Sequence, residues 1–430
     1  MVHTNDHILL LKGTPMQKRR VVITGIGTVN ALGNNLNDTW ENMVKGNSGI
    51  DTITAFDPSE YPSKIAGEVK NVDYKTSVKK SSLGKLKRMD PFVHYALVAL
   101  KEAVDMAGVD LGKEPFRTGA CVGTGVGGLH AHQNNVMQLV AKGPRRVNPF
   151  YIPAAIPNIV AGVLGIEYGF CGPNFVTSSA CASANHAIGC ALMIIQSGMA
   201  DVMVSGGSEG SVNEVAVAGF SNMKALSTKY NDAPQKASRP YDVDRDGFVI
   251  GEGAGIFILE EYEYAKKRGA KILSEVLSVG MTTDAYDFVM PDPEGMSAAQ
   301  CMKMAFELAE INPEDVDYIN AHATSTPIGD VAESKAINIA LNGKQDDIYV
   351  GSTKSLHGHL LGATAAVEAI ACIMAIRDNV IPANINIDNF DPAIELTCVN
   401  AEVIEKDVKI AVSNSFGFGG HNSTLILREI

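Results

Sequence analysis

Among the residues able to do chemistry, Cys181 has the most suggestive neighbours. In Thr177-Ser178-Ser179-Ala180-Cys181-Ala182-Ser183-Ala184 a β-favouring run, Phe175-Val176-Thr177, stops at small residues and a helical pattern starts at about the cysteine. A thiol at a helix N-terminus lies beside the positive end of the dipole, so its pKa is expected to fall and the thiolate to be favoured. The free N–H groups there can also hold a developing oxyanion. The other cysteines (Cys121, Cys171, Cys190, Cys301, Cys372 and Cys398) read as small buried hydrophobes.

Two later segments bring histidine. In Asn320-Ala321-His322-Ala323-Thr324-Ser325-Thr326-Pro327 a strand delivers His322 into a loop of hydroxylated residues, and Thr324 and Thr326 could hydrogen-bond a polar ligand chain. In Ser352-Thr353-Lys354-Ser355-Leu356-His357-Gly358-His359 a glycine-containing turn separates Lys354 from His359 and opens an apolar helix. His357 and His359 invite a metal reading, but no third ligand follows at a suitable spacing, so no metal is expected.

Two glycine loops could approach a ligand. Gly123-Thr124-Gly125-Val126-Gly127-Gly128 has the GxGxxG form, yet no acidic residue lies between Gly128 and Glu167, and a dinucleotide fingerprint needs one about twenty positions on. Phe416-Gly417-Phe418-Gly419-Gly420 follows the strand-like Ile410-Ala411-Val412-Ser413 and could offer a second oxyanion donor.

The elements that must position these groups alternate between strand and helix, which predicts an α/β architecture with buried, largely parallel strands. Their order occurs twice. A helix over Asp90–Ala107 precedes a strand at Ala120-Cys121-Val122, and a helix over Ala299–Ala309 precedes one at Tyr318-Ile319. The apolar helix after Cys181 is followed by a strand over Asp201–Ser205, and the helix after His359, running to Arg377, is followed by Val380-Ile381. Both helices are apolar nearly all round, which suits packing between two layers. Two related halves meeting near residue 268 follow.

The 430 residues are 46% hydrophobic and 20% charged, more than one ordinary domain needs. A formal charge of −12 argues against nucleic acid as the main partner and against anionic membranes. No run of about 18 apolar residues occurs, because Asn185, His186, Gln196 and Glu368 interrupt the most apolar helices, so no membrane insertion is expected. Residues 1–17 read as an N-terminal extension: Ile8–Leu11 is apolar, but no basic segment precedes it and no cleavage site follows. Seven scattered cysteines without CxxC spacing fit reduced thiols in a cytoplasmic compartment.

Taken together, these segments resemble the β-ketoacyl-[acyl-carrier-protein] synthases, the condensing enzymes of fatty acid synthesis. The resemblance runs from about Lys18 to Arg428 through Val21–Gly25, Ala180–Ser183, Ser238-Arg239-Pro240-Tyr241, Arg245-Asp246-Gly247-Phe248, the two histidine segments and Gly417–Gly420. It implies the thiolase fold, a five-layered αβαβα arrangement of two duplicated halves, here 18–268 and 269–430. It also implies a homodimer that needs no cofactor of its own, phosphopantetheine arriving on the acyl carrier protein. By position, Cys181 would be the acyl-accepting nucleophile, and His322 and His359 would promote malonyl decarboxylation. Lys354 would support them, with Glu333. The N–H groups of Cys181 and Phe418 would form the oxyanion hole, with Phe418 also a gate. Thr324 and Thr326 would contact phosphopantetheine, and Val126 lies where chain-length preference varies. Asp284 matches the family pattern, whereas Asp287 stands where many relatives have histidine. Gly358–Gly362 leans to the type II pattern.

The stretch Lys75–Arg88 carries Lys79, Lys80, Lys85, Lys87 and Arg88 with no acidic residue, which makes it a candidate dock for an acidic carrier protein. Other readings are weaker on the residues. A biosynthetic thiolase would have a second cysteine at His359, and an initiating synthase asparagine near it. A cysteine protease would leave His359 and Lys354 unexplained. A free-standing polyketide ketosynthase fits the same motifs, and a non-catalytic chain-length subunit would lack Cys181.

Overall fold

The computed structural model describes residues 19–430; the N-terminal extension expected over 1–17 lies outside them. Ten strands form the main sheet: β1 (Val21–Val29), β2 (Thr118–Gly123), β3 (Asn174–Thr177), β4 (Val202–Glu209), β5 (Gly253–Glu261), β6 (Ser274–Thr283), β7 (Tyr318–Asn320), β8 (Tyr349–Gly351), β9 (Ile410–Gly417) and β10 (His421–Arg428). Their order is β8-β7-β9-β10-β6-β1-β5-β4-β2-β3. Read outward from the β1–β6 junction, the two sets of five strands have like order and like sense, which is the duplication the sequence implies.

The strands are less parallel than expected. Only the outer pairs are parallel (β2 with β3 and β4, β7 with β8 and β9), while the five central pairings are antiparallel. Local chain geometry gives one reason. β9 returns directly into β10 through Phe418-Gly419-Gly420, where both glycines have positive φ (80° and 73°), and so tight a hairpin can only join antiparallel neighbours.

Five main helices complete the layers: α1 (Pro91–Ala107), α2 (Ser183–Gln196), α3 (Met296–Ala309), α4 (Pro327–Ala340) and α5 (Thr364–Asp378). α1 covers the outer face of the first half, and α3 and α4 cover that of the second. Between the halves lie α2 and α5; every residue from Thr364 to Ile376 is buried. This is the αβαβα thiolase arrangement. Apolar side chains such as Ile370 and Ile373 each contribute roughly 1.5–3 kcal/mol of burial, so α5 could not be stable on a surface. The outer α1 crosses β1 very closely, since a Cβ at Gly25 or Gly27 would lie 2.0 Å from a carbonyl oxygen of the helix. Asp90, expected inside α1, is its N-cap; its carboxylate also accepts the Ala131 N–H at 2.7 Å, and Pro91 takes the first helical position.

Val380-Ile381 is not the counterpart of β4. It pairs with Ile404-Glu405 in a separate two-stranded ribbon, and the equivalent strand is β9, reached after a long excursion. A short apolar pair after a helix satisfies either placement, so only long-range pairing decides. The other cysteines also divide: Cys121, Cys301 and Cys372 are buried, Cys190 and Cys398 half-buried, and Cys171 exposed on the loop before β3; all seven thiols are free. Among the described residues, no helix is long and apolar enough to cross a membrane.

Candidate active site

Cys181 sits on a strained turn. After β3 the chain passes Ala180 at φ 50°, a left-handed conformation unfavourable for a residue with a Cβ, and α2 begins at Ser183. Ser183 holds the turn: its hydroxyl accepts the Ser179 N–H at 2.9 Å and donates to the Ala180 carbonyl at 2.7 Å. From the opposite half, the Ser415 hydroxyl donates to the Cys181 carbonyl at 2.7 Å. The hairpin tip lies against this turn, because a Cβ on Gly417 would come within 2.9 Å of the Cys181 nitrogen. The N–H groups of Cys181 and Phe418 consequently both face the thiol.

The thiol pKa moves opposite to expectation. Burial pushes it up to about 12; Lys354 and the two N–H groups pull the other way and do not overcome the loss of water. The helix begins two residues beyond the cysteine, so its dipole acts less directly than the local pattern implies. A thiol in this setting would need a base to become nucleophilic. His359 Nε2 lies 2.9 Å from Sγ, and its Nδ1 lies 2.8 Å from the Thr364 hydroxyl. With Nδ1–H donated to Thr364, Nε2 is free to accept the thiol proton. Carbamidomethylation of Cys181 by iodoacetamide is expected to accelerate about tenfold per pH unit from pH 7 to 9 without levelling. A plateau below pH 7 would mean a thiolate already formed.

His322 leaves the end of β7 and lines the cavity, its ring 5.5 Å from that of His359 and nearly perpendicular to it. Both imidazoles are held well below the usual histidine pKa, first by burial and then by the nearby Lys354 charge, so both are neutral at neutral pH. Glu333 accepts the backbone N–H of His322 at 2.8 Å and of Ala323 at 2.6 Å, which holds the histidine loop. Burial raises this carboxyl to about 7. Lys354 does not pair with Glu333. Its ammonium contacts Glu368 on α5, both fully buried, and burial raises the Glu368 carboxyl to about 8. In the sequence Glu368 shows only as a lone charge in an apolar helix. His357 turns away from the site, its ring meeting the Gly358 carbonyl and Thr353 hydroxyl at 2.8 and 3.1 Å.

In front of these groups is a cavity of about 480 Å³ whose lining includes Val126, Phe220, Asp284, Thr324, Thr326 and Phe418. The two threonine hydroxyls are 3.1 Å apart. Asp284 accepts the Asn422 side-chain N–H at 2.6 Å, joining its loop to β10. Asp287 is exposed and does not line the cavity; its carboxylate accepts the N–H groups of Val289 and Met290 at 2.8 and 2.9 Å and shapes the loop they occupy. The GxGxxG loop does hold an anion, but one of the protein's own. Buried Glu209, at the end of β4, accepts the N–H groups of Gly125, Val126 and Gly127 at 2.6, 3.2 and 3.2 Å. It also accepts the Gly362 N–H at 3.1 Å, which ties this loop to the His359 segment.

Lys354, Glu333, the paired histidines and the cysteine thus converge from both halves of one duplicated fold. Residues 18–265 match the profile "Beta-ketoacyl synthase, N-terminal domain" and 273–388 match "Beta-ketoacyl synthase, C-terminal domain". The chain belongs to the β-ketoacyl synthase family. It is 44% identical over 414 residues to a 3-oxoacyl-[acyl-carrier-protein] synthase 2 of Staphylococcus aureus (strain COL), covering 96% of this chain and 99% of that one. Its fold matches a solved β-ketoacyl synthase from Burkholderia phymatum at TM-score 0.88 and 32% identity, over 96% of this chain and all of the other. It also matches, at TM-score 0.89, 30% identity and the same coverage, a structure of a type II polyketide acyl-carrier protein in complex with its ketosynthase.

Away from the cavity of this β-ketoacyl synthase, Lys85, Lys87 and Arg88 are exposed just before α1, as are Lys75, Lys79 and Lys80. The Arg88 guanidinium lies 4.5 Å over the Phe150 ring, which presents that charge in a defined place.

Proposed function

We propose that the chain catalyses the decarboxylative condensation of malonyl-acyl carrier protein with an acyl chain carried on Cys181, as a type II synthase of fatty acid elongation. The observation that carries the reading is the convergence at one sulfur: His359 Nε2 at 2.9 Å, two N–H groups facing it, and a second neutral imidazole beside the first. In the first step Sγ attacks the acyl thioester carbon while its proton passes to His359 Nε2. The oxyanion accepts hydrogen bonds from the N–H groups of Cys181 and Phe418, and the carrier sulfur leaves with the proton that His359 Nε2 gives up. In the second, malonyl thioester loses CO₂, and the electron pair of the broken bond becomes an enolate whose oxygen accepts hydrogen bonds from His322 and from the Nε2–H tautomer of His359, in which Nδ1 accepts the Thr364 hydroxyl instead. The enolate carbon attacks the acyl carbon, and collapse of the adduct expels Sγ as a thiolate, which takes up a proton from solvent through His359 to restore the thiol. Neutral imidazoles suit this work, since each can donate a hydrogen bond without first losing a charge. The buried Lys354–Glu368 pair supports the group electrostatically, and Glu333 acts through the backbone of the histidine loop. Nothing in these steps draws on a bound cofactor.

Purified protein given long-chain acyl-carrier protein and malonyl-carrier protein should yield one CO₂ per 3-oxoacyl product two carbons longer. Intact carriers that yield no such product would remove the reading. A polyketide ketosynthase shares the fold, as the carrier-bound ketosynthase structure illustrates. The greater identity to the fatty acid synthase relative favours the first reading.

The carrier docks, on this proposal, at Lys85, Lys87 and Arg88. Neutralising Lys87 and Arg88 together should raise KM for carrier-bound substrate about tenfold and spare small thioesters. Equal losses with both substrates would exclude the dock. Two further proposals complete the picture. The halves divide at 268/269, and the molecule is a cytoplasmic homodimer, supported by free thiols and by the edge strand β3, which leaves Phe175 exposed.

A further inference from the structure

We propose that Cys181, His322 and His359 also form a binding site for a thiophilic divalent cation of the zinc class, which would hold the protein in a reversible, unacylated state. Linear spacing hides such a site, because His357 beside His359 is turned away and the third donor comes from the other half of the fold. In three dimensions one donor atom from each of the three residues lies within 4.8 Å of the others. Tetrahedral zinc, with sulfur at ~2.3 Å and nitrogen at ~2.0–2.1 Å, sets its ligand atoms roughly 3.3–3.8 Å apart. The Cys181–His359 contact at 2.9 Å is shorter than this and the outer limit longer, so side-chain shifts of an ångström or less would seat the ion.

The donor chemistry fits. One thiol with two neutral imidazoles is a borderline-soft set of the kind zinc selects. Neither imidazole carries a proton that the metal must displace; only the thiol proton leaves, to solvent, as the sulfur–metal bond forms. The supporting contacts fit as well. Thr364 fixes the far nitrogen of His359 at 2.8 Å, and Glu333 holds the His322 backbone. Nδ1 of His322 is buried and unpartnered, while its ring lines the cavity. Lys354 opposes a cation, though its ammonium is turned to Glu368 on α5 and is not itself among the donors. The fourth coordination position would open onto the cavity, so the ion could arrive and leave.

Binding rests on the three donors alone. Its consequence, competition with the acyl thioester for one sulfur, rests on the proposed function. The full chain, freed of metal, should be titrated with Co²⁺ alone. The expected result is one ion per chain, with a thiolate-to-cobalt absorption band in the near ultraviolet and visible bands of tetrahedral cobalt. Cys181→Ser should abolish the charge-transfer band, and Thr364→Val should weaken binding about tenfold, with circular dichroism confirming that both fold. Absence of the band, or its survival in Cys181→Ser through Cys171 or Cys398, would overturn the site. Acyl transfer from acyl-carrier protein should stop with the ion bound and return on adding EDTA. Acylation of the metal-loaded protein would overturn the competition, whereas metal binding by a protein that never acylates would instead count against the proposed function.

Discussion

Replacing Cys181 with alanine is expected to abolish the acyl adduct and reduce condensation by at least ~10⁴-fold, the loss typical when a covalent nucleophile is removed. Intact-mass spectrometry after incubation with a long-chain acyl-carrier protein reads the result directly: one acyl group per chain on the wild type and none on Cys181→Ala. The fold should survive. Cys181 is a small side chain at the cavity wall, and its carbonyl, not its sulfur, receives the Ser415 hydroxyl. An adduct that persists in the mutant would place the acyl group on another residue. No adduct on a folded wild type would turn the reading toward a non-catalytic partner subunit. The serine variant adds a second test. Its hydroxyl is a poorer nucleophile in the same place, so residual acylation well below wild type is expected if His359 acts as the base.

The second large effect lies away from the reacting atoms. Glu209→Ala is expected to destabilise the protein by about 4 kcal/mol, because the N–H groups of Gly125, Val126, Gly127 and Gly362 would lose their shared acceptor inside the protein. For a chain of this size that corresponds to a fall in Tm of ~5 °C. Burial raises the Glu209 pKa, and the converging N–H groups oppose that rise, so the site was built for an acceptor with two oxygens. Glu209→Gln separates charge from shape. Its amide would turn an NH₂ group toward N–H donors at one of the two oxygen positions, so most of the loss should remain. Activity should fall as well, since a Cβ on Gly362 would lie 2.2 Å from the Gly125 nitrogen and the two segments have no room to move independently. Calorimetry on both variants checks the stability. A near-neutral Gln variant would mean that the carboxylate only fills space.

Glu209 also shows where linear reading stops. Its anchor role requires a strand end, a glycine loop and the turn after His359 to meet, and no spacing encodes that meeting. The sequence ruled out a dinucleotide reading of the GxGxxG loop; that its N–H groups hold Glu209 instead was not legible. Lys354 was legible as a candidate, whereas its contact with Glu368 emerged only once α5 was buried between the halves.

By itself, the sequence determined the α/β alternation, the duplication, four of the five main helices near their observed bounds (α4, over Pro327–Ala340, was not read) and the identities of Cys181, His322 and His359 as the chemical candidates. These are local properties: periodicity, and small residues flanking a thiol. Tertiary structure alone decided the sense of the strands, the place of Val380-Ile381, the direction of the Cys181 pKa and the convergence of a thiol with two imidazoles. Strand partners and desolvation depend on which distant segments exclude water from which groups. That is a property of the packed whole, because the field at Cys181 comes from Lys354, Phe418 and the burial that both halves impose together.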